Sequence, residues 1–174
     1  MRNLILILAL IVSSQCFGST VPHNGMLKHL SEFYRSFDSK ILQSKDEEEI
    51  KKYLEEKVPF IRDYINKQYN VDFSSLSHEQ VFVAGLIVIS IEEDNPELNP
   101  DTAPYLELKP PGNTFDCLMA AVGAVTGIGT LVSTIEGATM ATVLGVVKTI
   151  FSTYFAAFAA AWAVYEFGDC MNWW

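Results

Sequence analysis

The run from Leu118 to Tyr165 is 48 residues long and carries only two charges, Glu136 and Lys148. Its opening, "LMAAVGAVTGIGTLVSTI", has none. A stretch this apolar leaves water either by packing into a core or by entering a bilayer, and any fold must accommodate it. Small residues recur within it at four-residue steps: Ala120 and Ala124, Gly123 and Gly127, then Gly137, Ala141 and Gly145. Ala156 with Ala160 and Ala159 with Ala163 continue the pattern. Such ladders let helix backbones approach closely. A glycine inside a helix costs roughly 1 kcal/mol against alanine, so this many imply compensating contact. Gly123, Gly127, Gly137, Ala141 and Gly145 are the expected close-packing positions.

Helix lengths bear on the choice between core and bilayer. Crossing the hydrocarbon layer takes roughly 20 residues. Asp116 is placed to cap a helix starting at Cys117, Gly127 and Gly129 read as its end, and Ser133 with Glu136 has capping-box spacing for a new start. From Thr134 to Phe167 no strong stop signal occurs. One helix of that length would measure about 51 Å, longer than a small domain, so a bend is expected near Ser152 to Ala156. Three helices of moderate length are preferred over a hairpin of two spanning ones. The closing "VYEFGDCMNWW" gives Tyr165, Phe167, Trp173 and Trp174 two possible roles. They form either an interfacial aromatic belt or the closure of a core, with Gly168 ending the last helix.

Charge is segregated along the chain. Residues 19–113 hold 10 basic and 17 acidic side chains, against 1 and 4 in residues 114–174. The overall net charge of −9 argues against a nucleic-acid partner, which requires clustered Lys and Arg. In the acidic half, Met26, Leu27, Leu30, Phe33, Tyr34, Phe37 and Ile41 form the stripe of an amphipathic helix that Asn24 is placed to cap. A second helix opens at Ser44 with Glu47 in capping-box spacing, its acidic cluster Asp46 to Glu49 favouring the positive end of the dipole. Pro59 is expected to break or kink it. A third begins at Ser77 with Gln80 three residues on, and its run "VFVAGLIVISI" is apolar on every face, which marks the centre of the module; its β-branched content leaves a strand as the alternative. Five of the seven prolines fall between Pro96 and Pro111, a segment read as a linker or an extended strap. The expected organisation is all-α: a signal peptide over 1–18, an acidic helical module over 19–95, a Pro-rich linker over 96–113 and an apolar helical block over 114–174.

"MRNLILILALIVSSQCFGS" has the layout of a secretory signal, with Arg2 before nine apolar residues, Leu4 to Val12. Cleavage before Ser19 fits the small Cys16 and Gly18; lipidation at Cys16 is the alternative. The destination is the exterior, the periplasm or the cell envelope. Cys117 and Cys170 then remain as an even pair in an oxidising compartment and are read as a disulfide, with two separate buried thiols as the alternative.

Catalytic residues do not assemble in the sequence. His23, His29 and His78 are the only histidines, and Phe82 stands where a zinc-protease motif starting at His78-Glu79 requires its second His. Neither a GxSxG elbow nor a phosphate-cradling glycine loop occurs. The Glu-rich run lacks the alternating Asp and Asn of a calcium loop, and two cysteines do not make a zinc site. No enzymatic activity, cofactor or metal is expected.

Residues 114–174, with their Gly/Ala ladders and the pair Cys117 and Cys170, resemble bacteriocin-like secreted peptides in composition. The resemblance implies a membrane-active effector whose apolar block meets a lipid bilayer, kept soluble until then by the acidic module. The block's net charge of −3 and the "PPGN" before it differ from the cationic peptides that follow a double-glycine leader. The alternative is a non-enzymatic secreted or envelope protein whose two halves form one helical fold, with the block as a disulfide-closed core and another helical protein surface as partner.

Overall fold

The computed structural model describes residues 29–98, 106–122, 128–150 and 156–174. Among these residues the chain is helical, without strands. The helices are α1 (Leu30–Arg35), α2 (Ser39–Leu42), α3 (Glu47–Tyr69), α4 (His78–Asp94), α5 (Asn113–Val122), α6 (Ile128–Ile135), α7 (Met140–Ile150) and α8 (Ala157–Cys170).

α4 organises the packing. Every residue from Gln80 to Glu92 is buried, so the helix needs neighbours on all sides. They come from both compositional halves: α1 and α3 from the acidic part, α5 and α8 from the apolar part. α8 also packs against α2 and α3. The buried apolar side chains, from Leu30 through Val83 to Phe167, accordingly form one continuous cluster among the described residues. The compositional boundary at 96–113 therefore does not separate two cores.

Local chemistry sets the helix starts. Ser77 Oγ accepts from the Gln80 amide while the Gln80 side chain accepts from the Ser77 amide, the expected capping box. α3 begins later than expected. Its cap is Asp46, whose carboxylate accepts from the amides of Glu48 and Glu49, while Ser44 donates its hydroxyl to Glu49. The carboxylate accepts two amides at once and adds negative charge at the dipole's positive end. The single amphipathic helix expected from Met26 to Ile41 is, over its described part, two short ones. Asp38 caps α2 and its own amide donates to Tyr53 Oη at 2.8 Å, giving the backbone an alternative to continuous helix. Met26, Leu27 and Asn24 lie outside the described residues.

Pro59 does not end α3. Pro59 and Glu55 both lie on the exposed face, where solvent can satisfy the carbonyl that proline leaves unbonded. The Pro-rich segment behaves as a strap where it is described. Leu98 and Leu108 are buried, Lys109 donates its amide to Asn95 Oδ1 at 2.8 Å, and Gly112 donates to Asp94 Oδ2 at 2.8 Å. Leu108 also exchanges two backbone bonds with the turn between α6 and α7, to Ala138 O and from the Gly137 amide.

The apolar block contains four helices among its described residues, not three. Asp116 lies within α5, which starts a turn earlier, after Gly112 accepts the amides of Phe115 and Asp116. Gly129 and Ser133 fall inside α6, so neither ends or starts a helix. The break comes at Gly137, whose φ of +73° belongs to the left-handed region that glycine enters without a Cβ penalty. Thr139 then accepts the Thr142 amide ahead of α7. α7 ends at Ile150 and α8 follows an extended Ala156, so the long run does divide. The expected bend over Ser152 to Phe155 lies outside the described residues.

Candidate functional surface on the last helix

α8 buries Ala157, Ala160, Ala161, Ala163, Val164, Phe167 and Gly168, the alanines allowing close approach to its neighbours. Its opposite face carries Phe158, 49% exposed, and Trp162, 45% exposed. They stand four residues apart and are therefore stacked along one face. From Trp162 a chain of rings runs inward. Tyr165 lies 5.6 Å from Trp162, Trp174 stacks on Tyr165 at 6.1 Å, Trp173 meets Trp174 edge-on at 6.0 Å, and Phe167 meets Trp173 at 5.3 Å. The Arg35 guanidinium sits 5.6 Å over the Trp173 ring.

The end of α8 is fixed in two ways. Asn172 adopts a left-handed conformation, with the Trp173 amide bonded to Gly168 O and the Asn172 amide to Asp169 O, a Schellman arrangement. Asn172 thus fills the role assigned to Gly168, which instead lies within the helix. A Cβ there would overlap the Trp174 indole. The Cys117–Cys170 disulfide joins α5 to the last residue of α8, with a Cα–Cα distance of 5.7 Å. The expected pairing of the two cysteines is present.

The other sequence-derived positions fall into two groups. Phe167 is wholly buried, and Tyr165, Trp173 and Trp174 are half-buried and packed against the core cluster. A Cβ at Gly137 or Gly145 would meet no described atom within 4 Å. Gly137 makes a turn, Gly145 is exposed, and Ala141 is half-buried on α7. Gly123, Gly127, the signal segment and Cys16 lie outside the described residues.

A second feature is a buried acid. Glu92 Oε1 accepts from Tyr64 Oη at 2.8 Å and from Tyr69 Oη, while Oε2 is buried with no hydrogen-bond partner. Burial raises the Glu92 carboxyl above its ordinary range, against the opposing effect of the two tyrosine donors. Burial, and then the charge of Glu92, holds both tyrosine hydroxyls protonated far above the usual phenol range.

Among the described residues no group of His, Cys, Asp and Glu is arranged to hold a metal ion. His29 lies exposed before α1, and His78 opens α4 with Nδ1 3.9 Å from Glu55. Both sulfurs of Cys117 and Cys170 are engaged in the disulfide. No described helix is long and apolar enough to cross a membrane. Phe158, Trp162 and Glu92 were not singled out from sequence. The signals were a Phe and a Trp four apart in "AFAAAWAV", and an acid directly following twelve residues without charge.

Comparison with protein-family models, curated proteins and solved structures finds no match.

Proposed function

We propose that this is a secreted, non-enzymatic helical binding protein whose apolar block serves as its core and whose contact surface is the Phe158–Trp162 face of α8. The observation that carries this reading is the division of labour on α8. One side is sealed into the cluster shared with α3, α4 and α5, and the other exposes two large aromatics on a rigid, disulfide-anchored element. Aromatic anchors on a pre-ordered helix lose little conformational entropy when they dock. The partner in this reading is an apolar surface of another helical protein. Exposed Asp169 and half-buried Glu166 beside the aromatics, with the net charge of −9, disfavour an anionic bilayer.

The membrane-active reading stands second, supported by the same exposed aromatics and the charge-poor sequence of the block. It requires the block to leave the core, because its apolar residues Leu118, Val143, Leu144 and Val164 are fully buried. The discriminating experiment offers the intact oxidised protein to dye-loaded zwitterionic and anionic vesicles. Vesicles that stay sealed, with the protein remaining in the supernatant, support the binding-protein reading. Leakage or co-sedimentation that disappears in Phe158→Ser/Trp162→Ser replaces it with the membrane-active one.

A further inference from the structure

Glu92 is the only buried carboxylate among the described residues. It lies in the last turn of α4, at the junction with α1 and α3. The two tyrosines from α3 both donate to Oε1, and Oε2 is left enclosed without a donor. Both hydroxyls stay protonated, so each keeps a proton to donate to Oε1. An unsolvated carboxylate oxygen is costly, and neutralising it with a proton is the usual resolution.

The surroundings offer little competing charge. Before α1 stands the exposed His29, and at the start of α1 the Leu30 amide; both favour the ionised form against the larger effect of burial, while Glu32 on α1 is exposed. On α4 itself, Glu93 faces Arg35 at 3.9 Å and Asp94 accepts from the Gly112 amide. α5 and α8 contribute the exposed Asp116 and Asp169 and the half-buried Glu166, none of which hydrogen-bonds to Glu92.

We propose that Glu92 is a proton-operated latch: protonation at Oε2 fastens α4 to the α1 and α3 layer, and ionisation loosens that layer as pH rises. The direction follows from linkage. A group that holds its proton more tightly in the folded chain than in the unfolded one contributes stability below its unfolded value. That contribution is lost as pH climbs through the folded one. For Glu92 the window opens at the ordinary 4.5 of a glutamate and extends upward.

Carboxyl-carbon NMR of the intact oxidised protein tests this directly. The Glu92 resonance is expected to titrate with a midpoint above 4.5; a midpoint at or below that value overturns the latch. Glu92→Gln provides the second arm. Its melting temperature relative to wild type should rise steadily between about pH 4 and pH 8, and amide exchange of α1, corrected for intrinsic rate, should lose its pH dependence. A stability difference that is constant with pH overturns the proposal. Should Glu92→Gln not fold, Tyr69→Phe replaces it. Removing a donor to the ionised form should move the Glu92 midpoint further up, and an unchanged or lower midpoint counts against the latch.

Discussion

Gly85 and Tyr34 are matched in shape: the space that a Cβ on Gly85 would fill is taken by the Tyr34 ring and hydroxyl. That hydroxyl donates to Phe82 O at 2.8 Å, tying α1 to the central helix. Gly85→Ala should destabilise the protein by about 1–3 kcal/mol through overpacking. Tyr34→Phe removes the nearest clashing atom, so the same alanine should cost less in that background. Urea unfolding of the four proteins measures the coupling. Strict additivity would show that the two residues do not share this space.

The disulfide closes a span of 53 residues. In the chain-entropy model a loop of that length is worth about 4 kcal/mol, less any native strain. Cys117→Ser/Cys170→Ser should therefore lower unfolding free energy on that scale, as should reduction of the wild type. A midpoint in urea unchanged by reductant would show that core packing alone holds α5 to α8.

Gly168 receives the Trp174 indole, so Gly168→Ala should expel that ring. Tryptophan emission is expected to shift to the red, with a stability loss of about 1–3 kcal/mol. An unchanged spectrum would place Trp174 elsewhere.

Three of the seven tyrosines, Tyr34, Tyr64 and Tyr69, are buried and hold their protons well above the ordinary value of 10. A raised folded value means that their contribution to stability is complete below about pH 10 and is lost as pH rises further. Absorbance titration should therefore show these three ionising only together with alkaline unfolding. Seven tyrosines titrating smoothly near pH 10 in a folded protein would contradict the burial.

Phe158 and Trp162 project into solvent, so Phe158→Ser/Trp162→Ser should change unfolding free energy by no more than about 0.5 kcal/mol per site. Loss of partner capture in this folded variant would locate the contact surface on α8. A variant that unfolds would make the pair part of the core.

Helix content was legible because it is written in local patterns. The Ser77 to Gln80 capping box, the all-apolar run that follows it and the stripe from Ile50 to Ile65 each act within a few residues, and the fold realises all three. Boundaries were legible only where one side chain dominates. Asp46 outcompeted Ser44 because a carboxylate accepts two amides, and Pro59 stayed inside α3 because its face is exposed. Glycine spacing alone did not reveal that Gly137 makes a turn with φ +73°, since a four-residue step records which residues share a helix face and says nothing of what lies against it.

The sequence by itself determined the helical character of the described residues, a division into charge-rich and charge-poor parts, and a cysteine pair able to bond. Tertiary packing decided which surfaces are buried. α4 is apolar on every side and cannot be covered by α1 and α3 alone, so α5 and α8 complete its shell and the two compositional halves share one core. The same packing turned Phe167 inward and Phe158 and Trp162 outward, though all three are large and aromatic. It also enclosed Glu92 between two tyrosines 23 and 28 residues away. Burial depends on contacts between residues far apart in the chain, and those contacts exist only once the helices have packed.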